Sequence, residues 1–130
     1  MNKLFVDTSA WIAHFNRDDD FHKEAESVFV KRPSLITSNI ILHETIAHLS
    51  VRVSKIAAEI AGDFILRSGA VELITVSSDD EIAAWKRYRS FYLKISYVDA
   101  TNVVVMNKLR LKEIFAFDRD FLRFGFKLIP

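Results

Sequence analysis

Short apolar runs alternate with longer stretches of helical period along this chain, and that alternation leaves few folds open to it. Leu4-Phe5-Val6, Leu35-Ile36-Thr37, Val71 to Val76, Glu113 to Phe117 and Phe126 to Ile129 have the length and composition of strands. Strands joined through helices pair in parallel, because a parallel neighbour needs a long crossover. The expected architecture is a three-layer α/β/α sandwich with a short, mainly parallel sheet. A chain of 130 residues fits one domain, 1–130, and half of its residues are apolar, eleven of them Phe, enough for a substantial core.

The helical segments carry their own punctuation. Thr8 or Ser9 is a candidate cap for a short helix with Trp11, Ile12 and Phe15 on its apolar side. Asp18-Asp19-Asp20 is a polar break, after which Phe21 to Lys31 is amphipathic through Ala25, Val28 and Phe29, with Pro33 as its stop. Ser38 or Asn39 caps a helix to about Arg52, with Ile41, Leu42, Thr45, Ile46 and Leu49 in one stripe. A further helix runs from Lys55 to Ser68, with Gly69 suited to a left-handed stop. Ser78-Asp79-Asp80-Glu81 reads as a capping box opening a helix to Ser90, and Asp99 opens an apolar one to Leu109.

Four acids interrupt this pattern where the fold would gather them. In an open parallel sheet the ligand crevice lies beyond the carboxyl ends of the strands. Asp7 and Asp118 each follow such a strand, while Glu44 and Asp99 lie on helices that can point into the same crevice. Each also has an ordinary structural use: Asp7 and Asp99 as caps, Glu44 as a solvated helix residue, Asp118 and Asp120 as turn formers. Gathered together they would be costly, since two carboxylates about 4 Å apart repel by roughly 4 kcal/mol at an effective dielectric of about 20. Such a group either raises its pKa values or takes up a cation, and an all-oxygen set favours Mg²⁺ or Mn²⁺.

These residues resemble the PIN-domain proteins. Phe5-Val6-Asp7-Thr8-Ser9-Ala10-Trp11, Glu44 in a helix after a short strand, Tyr97-Val98-Asp99-Ala100 and Phe117-Asp118-Arg119-Asp120-Phe121 follow the order and spacing of the small PIN proteins, VapC-type toxins among them. The resemblance implies a metal-dependent endoribonuclease with Asp7, Glu44, Asp99 and Asp118 as its catalytic and metal-holding quartet. Asp7 and Asp99 would hold the Mg²⁺ or Mn²⁺ ion most directly, with Thr8, Ser9 and Asp120 in support. It further implies a toxin that hydrolyses RNA with a metal-activated water, a cognate antitoxin laid across the groove, and a homodimer. Many relatives carry Thr or Ser where this chain has Ala116, so a supporting hydroxyl is missing. The alternatives are a PIN-like module that binds RNA or protein without cutting, and a small-molecule phosphatase.

Other chemistries fit less well. His43 and His48 are five residues apart, about 140° round a helix, whereas a zinc protease needs them four apart and on one face. Ser9 stands where a haloacid-dehalogenase-like phosphatase carries its second Asp, and no glycine-rich phosphate loop occurs. With no cysteine there is neither a disulfide nor a thiolate metal site. A net charge of +1 does not argue for a wholesale polyanion-binding surface and leaves RNA contact to local patches. Lys86, Arg87 and Arg89, interleaved with aromatics up to Lys94, form one candidate, and Arg52 with Lys55 another. The ordinary reading of the first is a solvated helix end. No signal peptide or membrane span is expected, which makes the cytoplasm the default compartment.

Overall fold

The computed structural model describes residues 3–31, 34–91 and 94–130. Its sheet has five strands, β1 (Leu4–Val6), β2 (Leu35–Ser38), β3 (Val71–Ile74), β4 (Glu113–Phe115) and β5 (Lys127–Ile129), in the order β3-β2-β1-β4-β5 with every pairing parallel. The helices are α1 (Thr8–Phe15), α2 (His22–Lys31), α3 (Asn39–Arg52), α4 (Lys55–Arg67), α5 (Ser78–Ser90) and α6 (Tyr97–Lys108), and a 3-10 helix spans Arg119–Phe124. This is the expected three-layer sandwich.

The chain moves outward from β1 through β2 to β3, then crosses back to β4 on the other side of β1. Right-handed crossovers put helices made on the outward path on one face and those made on the return on the other. The packing agrees: α1 meets α2, α3 and α4, while α5 and α6 pair with each other. β1 is central and covered on both faces, which is why Leu4, Phe5 and Val6 are all buried and its sequence does not alternate. The core beneath α1 is aromatic. The Trp11 ring stacks on Phe29 at 5.2 Å and on Phe15 at 6.2 Å, and Phe64 meets it edge-on at 6.0 Å. Its indole N–H donates to Thr37 Oγ1 at 3.2 Å, and that hydroxyl donates to the Val6 carbonyl at 2.9 Å, so a fully buried Trp leaves no donor unpaired.

Several boundaries differ from the sequence expectation for local reasons. Neither Thr8 nor Ser9 caps α1; Asp7 does, its side chain accepting from the Ser9 N–H. Asp99 does not open α6. Ser96 caps that helix and Asp99 sits in its first turn. The capping box lies one residue earlier than expected, on Ser77 and Asp80, because both registers place a Ser three residues before an acid. Lys108 then pairs with Asp80 at 3.3 Å and the Tyr97 hydroxyl takes Glu81, which consolidates that choice.

β3 stops at Ile74 because its partner strand ends at Ser38, and the Val76 N–H goes instead to the Asn39 side chain at 2.8 Å. β4 stops at Phe115, and the Phe117 N–H leaves the ladder for Ser9 Oγ. Gly69 adopts the left-handed conformation, with φ of 79°. The Pro33 stop lies outside the described residues, as do Tyr92 and Leu93 of the basic-aromatic segment. Among the described residues no helix is long and apolar enough to cross a membrane.

Because Trp11 fills the space between α1, α2 and α4, Trp11→Ala should lower unfolding free energy by about 3–5 kcal/mol in chemical denaturation. Trp11→Phe should recover most of the packing yet leave the Thr37 hydroxyl without its donor.

Candidate active site

Where the chain reverses its direction of travel across the sheet, the ends of β1 and β4 lie side by side. Asp7 sits at that point. It is only 5% exposed, and each carboxylate oxygen is held from a different part of the chain. Oδ2 accepts from the Ser9 N–H at 3.2 Å and from the Ser9 hydroxyl at 2.8 Å. Oδ1 accepts from the Asn102 amide of α6 at 3.0 Å. Ser9 Oγ in turn accepts the Phe117 N–H at 3.0 Å, tying the segment after β4 to the first turn of α1. Ala116 is buried and has no hydroxyl to offer, so the bridging hydroxyl here belongs to Ser9.

The other acids approach from separate elements. Asp99 stands in the first turn of α6, with its N–H bonded to Ser96. Asp118 caps the 3-10 helix through the Asp120 N–H at 2.9 Å. Glu44 lies half-buried on α3, which Ser38 caps. Burial pushes Asp7 up to about 6, the Ser9 hydrogen bonds oppose this, and the charge of Glu44 adds to it. Asp99 is pushed up to about 7, first by burial and then by the charges of Asp7 and Asp118, with Ser96 opposing. Four acids from four segments thus act on one another.

The supporting residues divide. Ser9 holds Asp7, whereas the buried Thr8 hydroxyl has no hydrogen-bond partner among the described residues. Asp120 faces Arg123 at 3.4 Å, so its charge is already partly matched. The candidate RNA-binding cations lie on outer faces. Arg52 and Lys55 are exposed at the α3–α4 junction, two turns and about 12 Å along the helix from Glu44. Lys86 and Arg89 flank a hollow of about 320 Å³ beside Trp85 and Ser90. Arg87 lies over the Phe91 ring at 5.9 Å, a cation–π contact within the fold.

The donor set fits an oxygen-preferring divalent ion. Two carboxylates with raised pKa values, Asp7 buried and Asp99 half-buried, gain from a nearby positive charge, and the Asn102 Oδ1 and Thr8 Oγ1 atoms are buried without partners among the described residues. Among those residues no three acidic or imidazole side chains close round a single point. An ion here would keep several waters, as Mg²⁺ commonly does, and meet the outer acids through them.

Residues 4–127 match the PIN domain. The chain belongs to the PIN-domain family. It is 38% identical over 125 residues, 95% of each chain, to the 23S rRNA-specific endonuclease VapC20 of Mycobacterium tuberculosis. The crystal structure of that protein, described as a sarcin–ricin loop cleaving toxin, superposes with a TM-score of 0.92 at 34% identity, covering 98% of this chain and 100% of the other. VapBC from Salmonella typhimurium, bound to DNA, shares the PIN fold at a TM-score of 0.70 and 15% identity, over 98% of this chain and 97% of that one.

Asn102 is the site residue that sequence reading passed over. Its signal is an amide three residues after Asp99, on the same side of the helix and just before the apolar run Val103 to Met106. It is fully buried, and its contact with Asp7 joins residues 95 apart in the chain.

The raised pKa values fix the sign of a pH effect in the metal-free protein. Folded Asp7 and Asp99 hold protons to about 6 and 7, whereas the unfolded chain releases them near 3.8. Their contribution is therefore fully present below pH 4 and is lost as pH rises through about 7. Asp99→Asn should unfold at a higher temperature than the parent at pH 8 with chelator present, with the gap closing towards pH 4. Mg²⁺ or Mn²⁺ should stabilise the parent more at pH 8 than at pH 5 in the same scans.

Proposed function

We infer that this chain is a metal-dependent endoribonuclease, the toxin of a toxin–antitoxin pair, and that the acidic crevice is where it cuts RNA. The observation that carries the reading is the convergence of Asp7 and Asp99, both raised towards neutral pH by burial and by neighbouring acids, in a chain that matches the PIN domain over 4–127. Asp7 and Asp99 would hold Mg²⁺ or Mn²⁺ most directly. Glu44 and Asp118 would orient waters around it. When bound, such an ion acidifies nearby water and offsets the charge that builds on the phosphate during in-line attack.

The chain's own residues supply the rest. Ser9 and Asn102 fix the Asp7 carboxylate in one orientation before substrate arrives, so little reorganisation is left for the reaction itself. The Ser9–Phe117 bond keeps the Asp118 loop in register with Asp7. In this reading Glu44 or Asp118 would accept a proton from the attacking water. Substrate follows from the relative that cleaves the sarcin–ricin loop of 23S rRNA, at 38% identity over 95% of both chains. We assign this chain the same class of target. The VapBC complexes among its structural neighbours support an antitoxin partner, whose basic side chain would pair with the acids. A homodimer is the proposed assembly.

The test is cleavage of 23S rRNA by the purified protein with Mg²⁺, with Mn²⁺ and with chelator. Discrete cuts should disappear in chelator, and Asp7→Asn or Asp99→Asn should lower the rate roughly a hundredfold or more. Equal cutting in chelator would exclude the metal, and equal cutting by both variants would exclude these acids. Asn102→Ala should lower kcat about tenfold while the protein stays folded by circular dichroism, since it frees the Asp7 carboxylate without removing it.

A further inference from the structure

A groove of about 390 Å³ opens directly off the acidic crevice. Two of its lining residues, Ser9 and Asp118, belong to the crevice itself; Ile12, Asp19, Phe21, His48 and Phe117 line the rest. Phe21 is 44% exposed, the most exposed Phe of the chain. Its ring lies flat on Phe117, with centroids 4.5 Å apart and planes within 10°. The placement is fixed from below, because the Asp19 carboxylate accepts the Phe21 N–H at 2.9 Å. Phe117 is fixed too, by its N–H bond to Ser9.

We propose that the stacked Phe21–Phe117 pair seats an unpaired nucleobase of the RNA next to the scissile phosphate, with His48 at the edge of that base. This deepens the endoribonuclease reading and rests on it. The charge around the groove selects the occupant. Asp19 and Asp118 line it and repel a phosphate, whereas an uncharged base offers a π-face to an exposed aromatic platform. Continuity with Asp7 and Asp118 sets the distance: a base in the groove belongs to a nucleotide adjoining the crevice. His48 follows Glu44 by one helical turn on the same side of α3, so it shares the crevice-facing side, and its imidazole can donate to or accept from a base edge. The five-residue spacing that bars His43 from sharing a metal with His48 leaves His48 free for this use.

Stacking on one aromatic face strengthens binding of a base by about tenfold to a hundredfold. The experiment uses a synthetic hairpin carrying the sarcin–ricin loop, with 2-aminopurine at each unpaired position in turn. Bound to the Asp99→Asn protein, one position beside the cut should be quenched, and the added change Phe21→Leu should abolish that quench. In the cleaving protein Phe21→Leu should raise KM about tenfold with little change in kcat, and Phe21→Tyr should restore it. Phe21 is partly exposed and Leu preserves its bulk, so a folded variant is expected and is checked by thermal unfolding. Cleavage by the parent with unchanged KM and quench in Phe21→Leu would overturn the base seat and leave the nuclease standing. Failure of the parent to cut any RNA in metal would overturn both. A Phe21→Leu protein that binds and cuts normally but escapes inhibition by a protein partner would assign the groove to that partner and overturn the proposal.

Discussion

Everything at the carboxyl edge of the sheet depends on one buried charge. Asp7 is held at the junction of β1 and β4, and both of its oxygens are engaged by donors from opposite directions. Burial in itself disfavours ionisation there, and the Ser9 and Thr8 donors oppose it. The fold therefore spends stability to keep an acid at this junction, and in the proposed site a bound cation would offset that cost. Placing the same residue on a solvated loop would cost less and would hold nothing.

In the proposed site Asp7 and Asp118 would serve two purposes at once. Each caps the helix that follows it, with a side-chain oxygen accepting a backbone N–H two residues on. The ordinary structural use of an acid and its chemical use are therefore not exclusive. The capping bond fixes the carboxylate's direction, and the fixed direction is what makes it useful to a ligand. Asp99 differs, because Ser96 takes the cap and leaves the Asp99 carboxylate to face the other acids.

The layered fold and the four acids were legible in the sequence because both are written in local patterns. Apolar runs of strand length around Leu4 and Ile114, and helical spacing through Leu42 and Leu49, fixed the element order. The adjacency of the first and fourth strands, on which the meeting of Asp7 and Asp118 depends, is given by the strand order and not by those patterns. What was hidden is set by the register of one element against another. Asn102 becomes part of the site only because α6 lies across the end of β1, and no local pattern marks that. The Phe21–Phe117 stack joins the start of α2 to the segment after β4 and is equally invisible to periodicity. The capping register at Ser77 was ambiguous, because the sequence offers two overlapping solutions and the contacts of Lys108 and Tyr97 choose between them.

The strand order carries a consequence for the timing of synthesis. β1 acquires its second neighbour only when β4 is made, near the end of the chain, and Asp118 and the Phe117–Ser9 bond arrive with it. A ribosome extending this polypeptide therefore emits most of its length, Glu44 and Asp99 included, before the central strand is flanked on both sides. Until β4 is made, the nascent chain carries an unfinished pocket. The acidic centre is assembled only once the segment after β4 has been made and has folded back onto the first turn of α1.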